Sequence, residues 1–283
     1  MTVENETLTE ISAKGRVFSL NLRELFAYRE LIFMFVKRDF TAVYKQTILG
    51  PLWFLLQPLL STVIFTIVFG NIARISTDGI PHILFYLSGL VCWNYFSSAV
   101  GAISNTFTSN INLFSKVYFP RMTIPISVSL TGLITFAIQF VLFAGILAYF
   151  GFTQGFFERI NLFALLLPVL VFQMIIMALG FGIILASLTT KYRDFSYLIG
   201  FGLQLWMYAT PVVYPSSLVP EQYRWFIDLN PMSSVINCMR FGFLGVGSPD
   251  IAGLLRSCAV SIGILLLGML LFKRMERSFV DTV

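Results

Sequence analysis

The side chains that make and break bonds are scarce in this sequence, and they do not converge. The single histidine, His82, falls at the edge of an apolar run, where an imidazole reads as a solvated interfacial group. Cys92, Cys238 and Cys258 lack the spacing of a metal site. Two of them lie in apolar runs and read as small hydrophobes. Bond cleavage needs acids, bases or metal ligands brought together, and none can be assembled here: catalytic none, metal none. No G-x-x-x-x-G-K-[ST] run offers a phosphate loop.

Weaker chemistry is abundant. Trp93, Tyr95 and Phe96 cluster in one apolar run, and Trp206, Tyr208 and Tyr214 in and just after another. Neutral amides share these runs: Gln57, Asn94, Gln139, Gln173 and Gln204. Two readings stay open for the rings. Trp and Tyr form belts at membrane interfaces, but sugar rings also stack their C–H faces on aromatics while amides bond the hydroxyls. The second reading makes Trp93, Tyr95, Phe96, Gln139, Gln204, Trp206 and Tyr208 a path for a polar solute. The amides serve equally as helix-to-helix hydrogen bonds.

Composition says what must position these groups. Of 283 residues, 57% are hydrophobic and 12% charged, against about 25% charged in a soluble domain. That excludes an ordinary soluble globule, a disordered chain and a disulfide-stapled module. The solvent to reason in is the bilayer, which takes roughly 20 apolar residues per spanning helix. Runs near 52–71, 81–103, 122–150, 160–188, 196–213 and 254–272 predict an all-α protein of six transmembrane helices. Their apolar cores carry no Asp, Glu, Lys or Arg, which weighs against a proton-driven carrier.

Fourteen of the 19 Lys and Arg precede the first run, follow the last, or lie between runs two and three or four and five. The positive-inside rule makes that face cytoplasmic, with both termini on it. The net charge of +5 is then a topology signal rather than a nucleic-acid footprint. The N-terminus opens on Glu4, Glu6 and Glu10 and does not read as a cleaved leader.

Two segments are neither spans nor short loops. Across 21–45, Leu22, Leu25, Phe26, Phe33, Val36, Phe40, Val43 and Tyr44 repeat at helical spacing, with Leu31, Met34 and Phe35 off the stripe. This predicts an amphipathic helix lying in the interface. Across 211–253, five prolines interrupt apolar sequence too short to span. Re-entrant helices on the external side fit, with a gating or a merely capping role.

Three stretches carry a resemblance. One runs from Lys37-Arg38-Asp39-Phe40 through Tyr44-Lys45-Gln46 and Leu49-Gly50 to Trp53 and Gln57-Pro58-Leu59. Another is Tyr192-Arg193-Asp194. The third is Pro211-Val212-Val213-Tyr214-Pro215, with Asn230-Pro231 and Arg240 downstream. Together they resemble the membrane-spanning permease subunits of ABC-2 type exporters, in the branch that exports bacterial polysaccharide such as O-antigen, teichoic acid or capsule.

The resemblance implies a cytoplasmic tail over 1–20, an interface helix over 21–50, a six-span domain over 51–272 with a re-entrant segment over 214–250, and a tail over 273–283. It implies a homodimer in the bacterial inner membrane with two copies of a separate ATPase subunit, which holds the ATP and magnesium; this chain needs no cofactor. The substrate implied is a glycan linked to undecaprenyl diphosphate. Asp39, Phe40, Phe114, Ser115 and Tyr118 fall in the elements that would couple to the ATPase. Pro211, Tyr214, Pro215, Asn230, Pro231 and Arg240 fall in the external gate. Arg38, Lys45, Lys116 and Arg121 flank spans, where they would meet a lipid diphosphate or simply anchor the chain. Gly50, Pro51 and Pro58 are candidate pivots. The rival readings are an ABC-2 exporter of lipids, drugs or another small amphiphile, a membrane transferase, and a passive channel.

Overall fold

The protein is described by a computed structural model covering residues 22–45, 47–114, 116–192, 194–248 and 250–280. Among the described residues it is all-helical. Two helices, α1 (Leu22–Ala27) and α2 (Arg29–Lys45), precede the first apolar element. That element is a continuous 23-residue helix, Gly50–Ile72. It opens as a 3-10 turn, runs as α3 (Trp53–Phe65) and ends as a π-helical segment, Thr66–Ile72. Next come α4 (His82–Ser104), the single turns α5 (Thr106–Ser109) and α6 (Ile111–Phe114), and the 32-residue α7 (Thr123–Gln154). Then follow α8 (Leu167–Lys191), α9 (Phe195–Ala209), α10 (Glu221–Leu229), α11 (Pro231–Leu244) and α12 (Ile251–Val280).

Helix α4 is the axis of the bundle. It is apolar around most of its circumference, with Asn94, Ser97 and Ser98 forming one less buried polar edge, and such a helix must be largely surrounded by protein. It packs against α3, α7, α8, α9 and α11, and Leu84, Phe85, Tyr86, Leu87, Phe96, Val100 and Ile103 are fully buried. The pair α8–α12 sits beside it, at a close backbone crossing. A Cβ on Gly180 would lie 2.8 Å from the Leu265 nitrogen, and one on Gly268 would lie 2.8 Å from the Gly180 carbonyl oxygen. Helices in lipid pack through such small residues because lipid tails offer no hydrophobic drive for association. Gln173 adds a side-chain bond to Ser257, which donates in turn to the Pro231 carbonyl at 2.8 Å.

Among the described residues, five helices are long and apolar enough to cross a bilayer: Gly50–Ile72, His82–Ser104, Thr123–Gln154, Leu162–Lys191 and Ile251–Arg274. The run expected over 196–213 is shorter as a helix than the sequence suggested. α9 stops at Ala209 after 15 residues, about 22 Å at the usual rise, below a hydrocarbon core of roughly 30 Å. The remaining apolar residues, Pro211, Val212 and Val213, are buried in a non-helical turn.

The amphipathic segment is also corrected in detail. A turn at Tyr28 separates α1 from α2, although i→i−4 bonds from the Tyr28 nitrogen to the Glu24 carbonyl and from the Ile32 nitrogen to the Tyr28 carbonyl carry the helical register across it. The face that packs inward centres on Phe35, with Tyr28 and Leu31 beside it, against Phe119 and Ile124. Leu31 and Phe35 lay off the expected stripe. Phe26 and Phe33, which lay on it, are exposed, as is Met34. Contact with α7 outweighed the periodicity, and the second apolar face remains for lipid or another chain. Asn21 and Gln46 lie outside the described residues.

Candidate functional site: a clamped turn

A helix leaves its last carbonyls without intrahelical partners, and at membrane depth no water replaces them. After α9, Thr210 takes the Trp206 carbonyl through Oγ1 at 2.8 Å and the Met207 carbonyl through its N–H at 3.2 Å, and a single side chain from elsewhere holds the carbonyls of the turn that follows. Arg240, on α11, is 3% exposed. Its Nη1 donates to the Pro211 carbonyl at 2.6 Å, and its Nη2 donates to the Val212 carbonyl at 2.7 Å and to the Phe85 carbonyl at 3.3 Å. The guanidinium also lies over the Phe85 ring, Cζ 3.6 Å from its centroid. Gly89, one turn along α4 from Phe85, leaves room for this arrangement. A Cβ there would stand 2.9 Å from Nη2 and 3.2 Å from the Val212 carbonyl oxygen.

Asn230 closes the other side. Its Nδ2 donates to Thr210 Oγ1 at 2.8 Å, and its Oδ1 caps α11 by accepting from the Met232 nitrogen at 3.1 Å. Pro231 then occupies the first helical position, where its missing N–H costs nothing. Pro215 is buried and Tyr214 beside it is half-buried. The six expected gate residues therefore share the elements of one assembly. Sequence reasoning missed Thr210 and Gly89, which no motif marks. It also missed the bond from Ser217 Oγ to both Asp78 carboxylate oxygens, each at 3.0 Å, which ties the turn Ser216–Leu218 to the loop before α4.

At the α2 end, rings form a chain of contacts. Phe35 of α2 lies 5.8 Å from Phe119, Phe119 5.4 Å from Phe114, Phe114 5.6 Å from Phe107, and Phe107 5.4 Å from Phe272 of α12. Phe40 of α2 stacks on Phe54 of α3 at 6.2 Å. Phe40 and Phe114 thus face inward, while Tyr118 is exposed; Ser115 lies outside the described residues. Arg38 Nε donates to Asp39 Oδ1 at 2.7 Å, and its guanidinium covers the Phe35 ring. Arg38 and Lys45 line one open groove of about 530 Å³ with Met34, Lys37, Thr41 and Ala42. Lys116 and Arg121 are not part of that groove; Lys116 is exposed and Arg121 half-buried.

The family described as ABC-2 type transporter matches residues 30–244. The chain belongs to this family. It is 30% identical over 264 residues to the O-antigen export system permease protein RfbA of Myxococcus xanthus, covering 93% of this chain and 98% of that one. It is 27% identical over 263 residues to a protein of the same name from Klebsiella pneumoniae, covering 92% and 96%. A second Klebsiella pneumoniae protein of that name is 29% identical over 225 residues, 79% of this chain and 83% of its own.

Within this ABC-2 chain, the expected solute-path residues divide into two sets. Trp93, Phe96, Phe181 and Trp206 are packed edge to face, with Trp206 4.7 Å from Phe181 and 5.1 Å from Phe96. Tyr95 is buried and exchanges a 3.0 Å hydrogen bond with Ser129. Asn94 Nδ2 donates to Gln139 Oε1 at 3.4 Å. These groups join α4 to α7, α8 and α9. Gln204 and Tyr208 face outward on α9 with Tyr197, Phe201 and Leu205, and Gln57 faces outward on α3.

The remaining reactive side chains do not gather. His82 packs its ring on Gly70 of the π-helical segment, and the three cysteines are free and on separate helices. Among the described residues, no three His, Cys, Asp or Glu side chains are placed to hold a metal.

Proposed function

We propose that this chain is the membrane-spanning permease subunit of an ATP-driven exporter of bacterial surface polysaccharide. The observation that carries the reading is its similarity, along nearly its whole length, to a protein named as an O-antigen export permease. In this reading two copies pair, and two copies of a separate ATPase subunit dock at the α2 end, carrying the ATP and magnesium. The substrate is a glycan linked to undecaprenyl diphosphate in the bacterial cytoplasmic membrane.

The geometry supports a division of labour. The outward faces of α3 and α9 carry Gln57, Gln204 and Tyr208 among apolar residues; two copies brought together on these faces would enclose a weakly polar path. A polymer must be held weakly at many points and released from each, which neutral amides and rings permit. The groove at Arg38 and Lys45 gives an anionic lipid diphosphate a cationic place to wait. The turn clamped by Arg240, with α10 and α11, closes the opposite end from the outside, so α9 and that turn together complete a sixth crossing. Both termini then lie in the cytoplasm, as the distribution of Lys and Arg requires.

Depletion of the protein followed by a sided glycan assay tests this. Surface polymer should fall while full-length lipid-linked polymer accumulates on the cytoplasmic side. If both pools stay unchanged, the cargo is not polysaccharide, and an amphiphile becomes the substrate to test.

A further inference from the structure

Beside the clamped turn, the structure holds a cavity of about 350 Å³. It opens between the turn Ser216–Leu218, α10, α11 and the segment leading into α12. Its volume is at the small end of ligand sites. Its lining mixes signs: Asp78, Asp228 and Asp250 against Arg224 and the buried Arg240.

Most of these charges are already committed. Asp78 accepts twice from Ser217. Asp250 accepts from the Gly253 nitrogen at 2.7 Å and faces Arg256 at 3.8 Å. Asp228 is different, with no hydrogen bond or ion pair among the described residues. Asn237 accepts from Ser216 through Oδ1 at 2.9 Å and keeps its amide hydrogens unused. Arg240 Nε is buried without a partner. A divalent cation asks for six or more oxygens, and one uncommitted carboxylate does not supply them. Three carboxylates against two guanidinium groups leave a net charge of only −1, which disfavours an anionic ligand and gives a cationic one little to hold it. A free carboxylate, a free amide and the Ser248 hydroxyl, beside the apolar walls of Val219 and Val246, suit a molecule with neighbouring hydroxyls and a C–H face.

We propose that this cavity binds one neutral sugar unit of the polymer as it leaves the exporter, with Asp228 accepting from ring hydroxyls and Asn237 donating to them. The proposal rests on the polysaccharide reading above. Bound there, a sugar touches α10 and α11 at once, so the departing chain is held at the gate while the next units advance.

The test is saturation-transfer NMR on the intact exporter in nanodiscs. The probes are neutral oligosaccharides of two to four units released from the source cell's own surface polymer. The variants are Asp228→Asn and Ser248→Phe; the second plugs the exposed mouth without entering the core. Transfer to the wild type, with affinity about tenfold weaker in Asp228→Asn, as expected for loss of a charged hydrogen bond, and lost in Ser248→Phe, with melting temperatures unchanged, supports the proposal. Absent transfer, or equal transfer in all three proteins, while depletion still removes surface polymer, overturns the cavity and leaves the export reading standing. Unchanged surface polymer on depletion overturns both.

Discussion

The guanidinium of Arg240 covers the ring of Phe85 at 3.6 Å, joining α11 to the central helix across 155 residues of sequence. The same group holds the carbonyls of Pro211 and Val212. One side chain thus holds the turn that follows α9 and sets where α11 rests against α4. Arg240→Met should strand these carbonyls, at about 1–3 kcal/mol for each buried group left unpaired. The expected result is a lower melting temperature in detergent, with new protease cleavage over 209–216. Arg240→Lys should rescue little, since an ammonium lacks the planar fork that reaches two carbonyls at once. An unchanged melting temperature in Arg240→Met would sink the clamp.

Gly89→Ala tests the same contact from the opposite side. The added Cβ presses on Nη2 and the Val212 carbonyl, and overpacking of this kind costs about 1–3 kcal/mol. The double variant with Arg240→Met should be clearly less destabilised than the sum of the singles, because both act on one contact. Strict additivity in a thermal-stability cycle would contradict this.

Asn230 separates a cap from a crosslink. Asn230→Asp keeps the oxygen that caps α11 and removes the donor to Thr210; Asn230→Ala removes both. The alanine variant should lose about 1–2 kcal/mol as a cap loss together with the crosslink. The aspartate variant should retain α11 by hydrogen exchange while the amides around Thr210 lose protection. Equal exchange in the two variants would show that Asn230 acts only as a crosslink, because the cap is what distinguishes them.

Trp206 and Tyr208 sit two residues apart and should behave differently. Trp206→Ala removes a partly buried ring packed against Phe96 and Phe181 and should destabilise by about 3 kcal/mol, the low end for such a truncation. Tyr208→Ala and Gln204→Ala remove outward groups, so stability should stay within about 0.5 kcal/mol while surface polymer falls. Wild-type export by both outward variants would remove α9 from the path.

The ring contacts at the α2 end predict uncoupling. Phe119→Ala removes the ring shared by Phe35 and Phe114. In the reconstituted exporter, ATP hydrolysis should persist while polymer export drops several-fold. Parallel loss of both activities would point to misassembly instead.

The sequence announces its spans because apolar runs are long and bounded by charge, and it announces the prolines of the turn because Pro cannot continue a helix. What it hides is tertiary. Holding the turn after α9 depends on Arg240, which is 29 residues beyond Pro211 and looks like one more charge at a membrane face. The burial of Phe35 in place of Phe33 depends on Phe119 and Ile124. Trp93 and Trp206 look equally suited to a lumen and to a core until their neighbours Phe96 and Phe181 are known. Gly89 carries no local mark; its role is the space beside it.

The clamp also sets an order of assembly. During synthesis, α4 and α9 emerge while residue 240 is still unmade or inside the ribosome, so the carbonyls of Pro211 and Val212 first meet an environment without their donor. The bundle formed by the earlier helices is then unfinished at one end until α11 emerges and docks. A nascent chain stopped short of Arg240 would present that end unsealed, a recognisable mark for the proteases that clear incomplete membrane proteins. The residue that holds the turn in the finished molecule is thus also one that the chain must reach before that end of the bundle can close.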